Sequence, residues 1–459
     1  MLPGLCLAAE LDGTQLSPAW AVPFIGMLLS IALWPLLAPV FWHRHFGKIA
    51  AAWSLSLLLP FAVQFGIMPA AAGAVHAMVA EYIPFIALLT ALYVVAGGIC
   101  VRGDLRGTPA LNTCILGLGT FLASLMGTTG ASMLLIRPLL RANGNRREAA
   151  HVVVFFIFLV ANAGGALTPL GDPPLFLGFL KGVDFFWTMR HIFPHTLFVC
   201  LSLLAVFYLI ERYYYLPRES LRRAVVVSDD FVAPRLSFDG SMNFILLVAV
   251  VGLVLMSGLW KPGISFSLLG TPVELQNLVR DGFLFVVVFL SLWMTPKTAR
   301  KDNDFTWGPI AEVAKLFAAI FLTIIPVIAM LRAGEQGAFS SVVKAVTGPD
   351  GQPVDLMYFW VTGILSSFLD NAPTYLVFFN TASGDAATLM TTLASTLAAI
   401  SAGAVFMGAM TYIGNAPNLM VKSIAEAHGV RMPSFFGYMG WSCTILLPIF
   451  IVMSFLFIL

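Results

Sequence analysis

The chain has 459 residues, 59% hydrophobic and 10% charged, with a mean hydropathy of +0.90. Such a composition excludes a soluble globular domain and predicts a chain that lives mostly in lipid. The formal net charge of +2 is too small to suggest a nucleic-acid surface.

Residues 1–19 read as a short exposed N-terminal segment, without the basic start and long apolar run of a cleaved signal. Apolar runs of about 20 residues, the length that crosses a bilayer, then follow. They fall near 20–40, 49–68, 82–101, 148–170, 193–211, 242–260, 281–296, 309–331, 387–413 and 436–457. This pattern predicts an all-α polytopic membrane protein with about ten transmembrane helices. Two further apolar stretches, 111–140 and 356–386, are interrupted by GTTG (Gly127 to Gly130) and DNAP (Asp370 to Pro373), which leaves each arm short for a span. Cys6, Cys100, Cys114, Cys200 and Cys443 lie far apart, without metal-ligand spacing, and read as packing residues.

Loop charge predicts the threading. Basic residues gather at Arg44 and Lys48, at Arg102 and Arg106, at Arg141, Arg146 and Arg147, from Arg212 to Arg223, from Lys297 to Lys301, and from Lys422 to Arg431. By the positive-inside rule these loops are cytoplasmic, and Lys181, Arg190, Lys261 and Arg280 fall outside as exceptions. Stretch 111–140 has basic loops on both sides, so it reads as a re-entrant hairpin from the cytoplasm. Stretch 356–386 then enters from the opposite face. Backbone at a hairpin tip is tolerated at membrane depth only where protein buries it or water reaches it.

Opposite threading suggests an inverted duplication. Aligning ALTPLGDPPLF (from Ala166) with AMTYIGNAPNL (from Ala409), an offset of 243 residues, matches Ala, Thr, Gly and Pro at 166/409, 168/411, 171/414 and 174/417. The same offset lays Gly127 on Asp370 and Thr128 on Asn371, so both kinds of break recur in one register. Glu81 and Glu312 correspond as well once an insertion in loop 332–355 is allowed. The expected organisation is a first repeat over 20–211, a cytoplasmic linker over 212–241, and a second repeat over 242–459.

Gly and Pro end the helical hydrogen-bond ladder, and half-helix ends directed at the midplane bind ions. The alternative for a single such motif is a packing kink. Asp172 in TPLGDPP and Asp370 in FLDNAP are the carboxylates at the breaks. A carboxylate inside a span costs roughly 2.5–3.5 kcal/mol on lenient scales, so it needs a partner or a role. Cation binding and proton coupling are the roles expected of both; the alternatives are an N-cap on the second hairpin arm for Asp370 and a residue at an exposed helix end for Asp172. Neutral oxygens suited to a dehydrated alkali ion lie nearby: Thr128, Thr129, Asn162, Thr168, Asn371, Thr374, Thr411, Asn415 and Asn418. Gly171 and Gly414 complete the breaks. A sodium site is expected at Asp370, Asn371 and Asn415. Each of these side chains could instead satisfy a neighbouring backbone group. Arg137, in the first hairpin, could meet an anionic substrate or could snorkel. Glu312 and Lys315 read as an ion pair, and Lys422 and His151 as topology signals.

At these residues the chain resembles a known group. NAGGALTPLGDPPLF (Asn162 to Phe176), FLDNAPT (Phe368 to Thr374) and YIGNAPNLMVKSIAE (Tyr412 to Glu426) are similar to signatures of the ion-transporter superfamily that includes NhaD-type sodium/proton antiporters, arsenite permeases and citrate transporters. The resemblance implies a scaffold and a transport domain, the latter holding both hairpins, a homodimer in the inner membrane, and an elevator-like shift. Asn162 to Gly165 followed by Gly171 and Asp172, with the Asp370 and Asn371 pair, is similar to the antiporter branch. The family's dicarboxylate carriers have Ser-Asn-Thr at both tips, and this chain departs from that. The function implied first is therefore sodium/proton antiport, with sodium and protons as the moving ions. Cation- or proton-coupled transport of citrate or another organic anion, or arsenite-type transport, is the alternative. An enzyme is not expected, and neither are a cofactor or a nucleic-acid partner; membrane lipid and a small ion or small organic anion are the expected partners.

Overall fold

In a bilayer the backbone has to satisfy its own hydrogen bonds, and the described residues accordingly form helices with two small two-stranded ribbons. The computed structural model describes residues 11–103, 106–146, 148–215 and 237–459. The expected linker 212–241 lies mostly outside the described residues. The protein is an all-α multi-pass membrane protein. Among the described residues nine helices are long and apolar enough to cross a membrane, or ten if the pair Gly308–Thr323 and Ile325–Arg332, bent by 43°, is one span.

Two sets of helices can be told apart by what they pack on. The first begins with α1 (Val22–Leu37), α2 (Pro39–Phe65) and α3 (Ile67–His76), which runs through a π-helical turn, Ala77–Tyr82, into α4 (Ile83–Ala96). The N-terminal segment is less exposed than expected: Leu16 is buried, and a Cβ on Gly13 would meet the Ala329 carbonyl oxygen at 1.9 Å.

The second set follows: α5 (Pro109–Met126), α6 (Thr128–Ala142), α7 (Ala150–Leu159), α8 (Pro173–Leu180) and α9 (Trp187–Ile210). The chain then returns to the first set with α10 (Met242–Leu259), α11 (Leu275–Met294), α12 (Gly308–Thr323) and α13 (Ile325–Arg332). Helix α4 packs on α10 and α11, and α12 on α2, with Phe85 stacked on Phe317 at 4.6 Å between ring centroids. Finally α14 (Asp355–Phe368), α15 (Asn371–Ala382), α16 (Ala394–Met407), α17 (Ala416–Ala427) and α18 (Phe435–Phe457) complete the second set. Within it the halves interleave, α6 packing on α17 and α15 on α8.

Several boundaries differ from the sequence reading, for identifiable reasons. The runs 148–170 and 387–413 were expected to end at the breaks. Instead the chain leaves α7 and α16 through 3-10 turns, Ala163–Leu167 and Gly408–Met410, and resumes as α8 at Pro173 and as α17 at Ala416. Proline sits in the first turn of both resumed helices, where its missing N–H costs nothing. The hairpin arms are also unequal. Helix α5, 18 residues, is long and apolar enough to cross a membrane by itself, unlike the short arm expected there.

Candidate functional site

Four interruptions of the helical ladder meet in the second set. At the first tip, Gly127 has φ 81°, a left-handed conformation that glycine adopts without strain, and it lets α5 turn directly into α6. The Thr128 N–H then donates to the Gly171 carbonyl oxygen at 2.8 Å, so the tip is docked on the break between α7 and α8. Glycine is required at that break. A Cβ on Gly171 would lie 2.1 Å from the Gly165 carbonyl oxygen, and one on Gly414 would lie 2.5 Å from that of Gly408.

The hydrogen bonds recur in the 243 register. The Thr168 hydroxyl donates to the Ser124 carbonyl, and the Thr411 hydroxyl to the Ser367 carbonyl. The Ser124 hydroxyl donates to the Gly164 carbonyl at 2.5 Å, and the Ser367 hydroxyl to the Met407 carbonyl at 3.1 Å. Carbonyls freed at the ends of α5 and α14 are thereby satisfied by the breaks that lie beside them. Asp172 (φ −144°, ψ 144°) and Asn415 (φ −150°, ψ 138°) precede the resumed helices in the same extended conformation.

Asp172 is where the side chains converge. It is 1% exposed, although an exposed helix end was one expectation for it. Its Oδ1 accepts from the Thr128 hydroxyl and the Asn415 amide, each at 3.1 Å, and its Oδ2 accepts from the Asn371 amide at 2.6 Å. These donors come from both tips and from the opposite break, and all are neutral. Among the described residues none of the ion pairs includes Asp172. Beside it, the carbonyl oxygen of Asn371 is buried and accepts no hydrogen bond. A carboxylate next to an unmet amide oxygen is a donor set that fits a small hard cation or a proton.

A cavity of about 1120 Å³ reaches this point. It is lined by Thr128, Thr129, Gly171, Asp172, Asp370 and Asn415, and also by the exposed residues His43, Asp304 and His428. The tips and breaks thus open onto one space that leads out of the protein.

Comparison with known proteins agrees with this picture. The pattern of a family described as "Putative citrate transport" matches residues 13–458. The chain belongs to this family. It is also 26% identical over 335 residues to proteins named as uncharacterized transporters from Mycobacterium bovis and Mycobacterium tuberculosis, covering 71% of each chain. It is a transport protein rather than an enzyme, consistent with its likeness to the ion-transporter superfamily.

In this transporter the remaining candidates divide by what they touch. Asp370 caps α15, its Oδ1 accepting from the Ala372 N–H at 3.1 Å, while still lining the cavity. The Thr374 hydroxyl bonds back to the Asp370 carbonyl at 3.0 Å and so serves its own helix. Asn162 donates to the Asn418 amide oxygen at 2.8 Å and accepts from Asn415 at 3.2 Å. Asn418 in turn donates to the Gly408 and Thr411 carbonyls at 2.9 Å each, stapling the second break. Asn371 and Asn415 donate to Asp172, rather than gathering with Asp370 as the expected sodium site had them. Ser124 and Ser367 were missed, although they are identical residues in the 243 register. Glu312 was expected to pair with Lys315; its Oε1 instead accepts from the Trp42 indole N–H at 3.0 Å, and the Lys315 ammonium lies 5.2 Å from the centre of the Phe46 ring.

Proposed function

We propose that this protein is a secondary transporter that moves a small carboxylate anion of the citrate class together with a cation or proton, and that Asp172 is the coupling group. The observation that carries the reading is the environment of Asp172: a carboxylate removed from water, with three neutral donors, at a cavity that leads outward. Such a group is stable when a cation or proton joins it and costly when ionised and alone. A loaded site can then cross and an empty ionised one cannot, which is the condition for coupling. Family membership supports the carboxylate as the companion. Asn371, through its unmet carbonyl oxygen, and Asp172 would hold a sodium ion.

The hairpins enter from opposite faces as halves of an inverted duplication, a reading supported by the recurring Ser–Thr bonds. The cavity rim, with His43, Asp304 and His428, belongs to segments next to basic loops, so the conformation is open to the cytoplasm. An elevator-like shift of the second set of helices in a homodimer of the inner membrane follows from the superfamily likeness.

Sodium/proton antiport is a second reading, and the cavity charge favours it. Asp172, Asp304, Glu312 and Asp370 line the space, against Arg137 as the sole Lys or Arg among the described lining residues. Proteoliposomes with citrate, sodium and lithium supplied separately under an imposed pH gradient decide between the two. Citrate uptake driven by the cation or proton gradient is expected. Sodium-driven proton movement without any organic anion would replace the first reading by the second.

A further inference from the structure

Arg137 stands out among the arginines of the chain. It sits in α6, nine residues after Thr128, or roughly 13 Å along the helix, and it lines the cavity. It is 6% exposed, yet its Nε and Nη1 are buried without a hydrogen-bond partner. Among the described residues its one ionic neighbour is Asp304, with Oδ2 at 3.4 Å from Nε, and that side chain is 70% exposed. A purely structural arginine spends its donors on carbonyls, as Arg141 does one turn later by donating to the Val101 carbonyl at 2.5 Å. Arg280 and Arg300 also leave one nitrogen unmet, but neither lines the cavity. Snorkelling does not account for Arg137 either, because its Nε and Nη1 are shut off from water.

We infer that Arg137 is an anion-binding residue of this cavity, taking one carboxylate of the substrate on its guanidinium in place of Asp304. The planar fork suits a carboxylate in a way that a point charge does not. The other charged groups facing the space among the described residues are carboxylates, with His43 and His428 at the exposed end, so none of these residues offers an anion a second Lys or Arg. Arg137 is also separated along α6 from Thr128, which donates to Asp172, so the cation and the anion would be held by different residues of one cavity. This deepens the carboxylate-carrier reading and rests on it.

The test is titration of the purified full-length protein with citrate and with succinate, alongside uptake in proteoliposomes. Arg137→Gln should weaken binding of the anion by roughly tenfold or more, as expected for a lost charge-assisted pair. Arg137→Lys should recover only part of the affinity, because the ammonium cannot bind both oxygens. Asp304→Asn removes the competitor from an exposed turn and should tighten binding severalfold. If Arg137→Gln binds citrate as well as the unsubstituted protein, the inference is wrong while the carrier reading stands. If the unsubstituted protein takes up neither anion and exchanges sodium for protons, the carrier reading fails and takes this inference with it. Should Arg137→Gln not fold, Asp304→Asn decides: tighter binding supports the inference, and unchanged or weaker binding overturns it.

Discussion

The two breaks of this transporter share a backbone, and the residue that precedes each resumed helix differs in charge. From α7 to α8 and from α16 to α17 the chain makes the same 3-10 turn, the same Thr-to-Ser carbonyl bond and the same extended residue before a proline-started helix. In the first span that residue is Asp172; in the second it is Asn415. The tips show the reverse bias, with Gly127 in the first and Asp370 in the second. A symmetric frame therefore carries an asymmetric site, in which one half supplies the acceptor and the other half most of its donors. Geometry that has to be repeated is kept in the backbone. Chemistry that has to be single resides in side chains.

The largest effect is expected from removing the charge that distinguishes the first break from the second. Asp172→Asn is expected to lower coupled uptake by on the order of 100-fold, as loss of a charged ligand does. Folding should survive, since the amide has similar size. Moving the charge, in Asp172→Asn with Asn415→Asp, should not restore uptake, because Thr128 and Asn371 converge on position 172 and not on 415. Recovery in the double variant would mean that the frame, and not the converging donors, makes the site.

A smaller effect probes what the spans share. Gly171→Ala and Gly414→Ala each press a methyl group into a carbonyl oxygen of the preceding turn, at 2.1 and 2.5 Å. Neither backbone can yield without disturbing the docked tip, so each should lose about 3 kcal/mol of stability, with Gly171→Ala the worse of the two. Thermal unfolding in detergent checks this, and near-normal stability of either variant would show that the frame is more pliable than its contacts imply.

The smallest effect concerns the other carboxylate. Asp370 caps α15, and asparagine caps as well as aspartate does. Asp370→Asn should therefore change stability by only a few tenths of a kcal/mol. Its effect on uptake should be well below that of Asp172→Asn. Equal loss in the two variants, measured in the same proteoliposome assay, would make the acids a joint coupling pair and erase the asymmetry described above.

Much of this organisation was legible in the residues alone. Apolar run length marks spans because the bilayer has a fixed thickness, and Gly and Pro mark breaks because they interrupt a local hydrogen-bond ladder. The 243-residue offset between the two breaks was readable too, since GD and GN lie in matching contexts. Tertiary structure decided the rest, because burial and partner choice are not local. It buried Asp172 in the protein just beyond a run that composition seemed to end at 170, and it turned Asn371 and Asn415 toward that carboxylate and away from Asp370. It also gave Thr168, Thr411 and Asn418 to backbone carbonyls, which reside up to 44 residues away along the chain. A hydroxyl or amide in a span has to bond something, and the sequence cannot say whether that partner is an ion or the end of a neighbouring helix, because the choice depends on which helix end packs within reach.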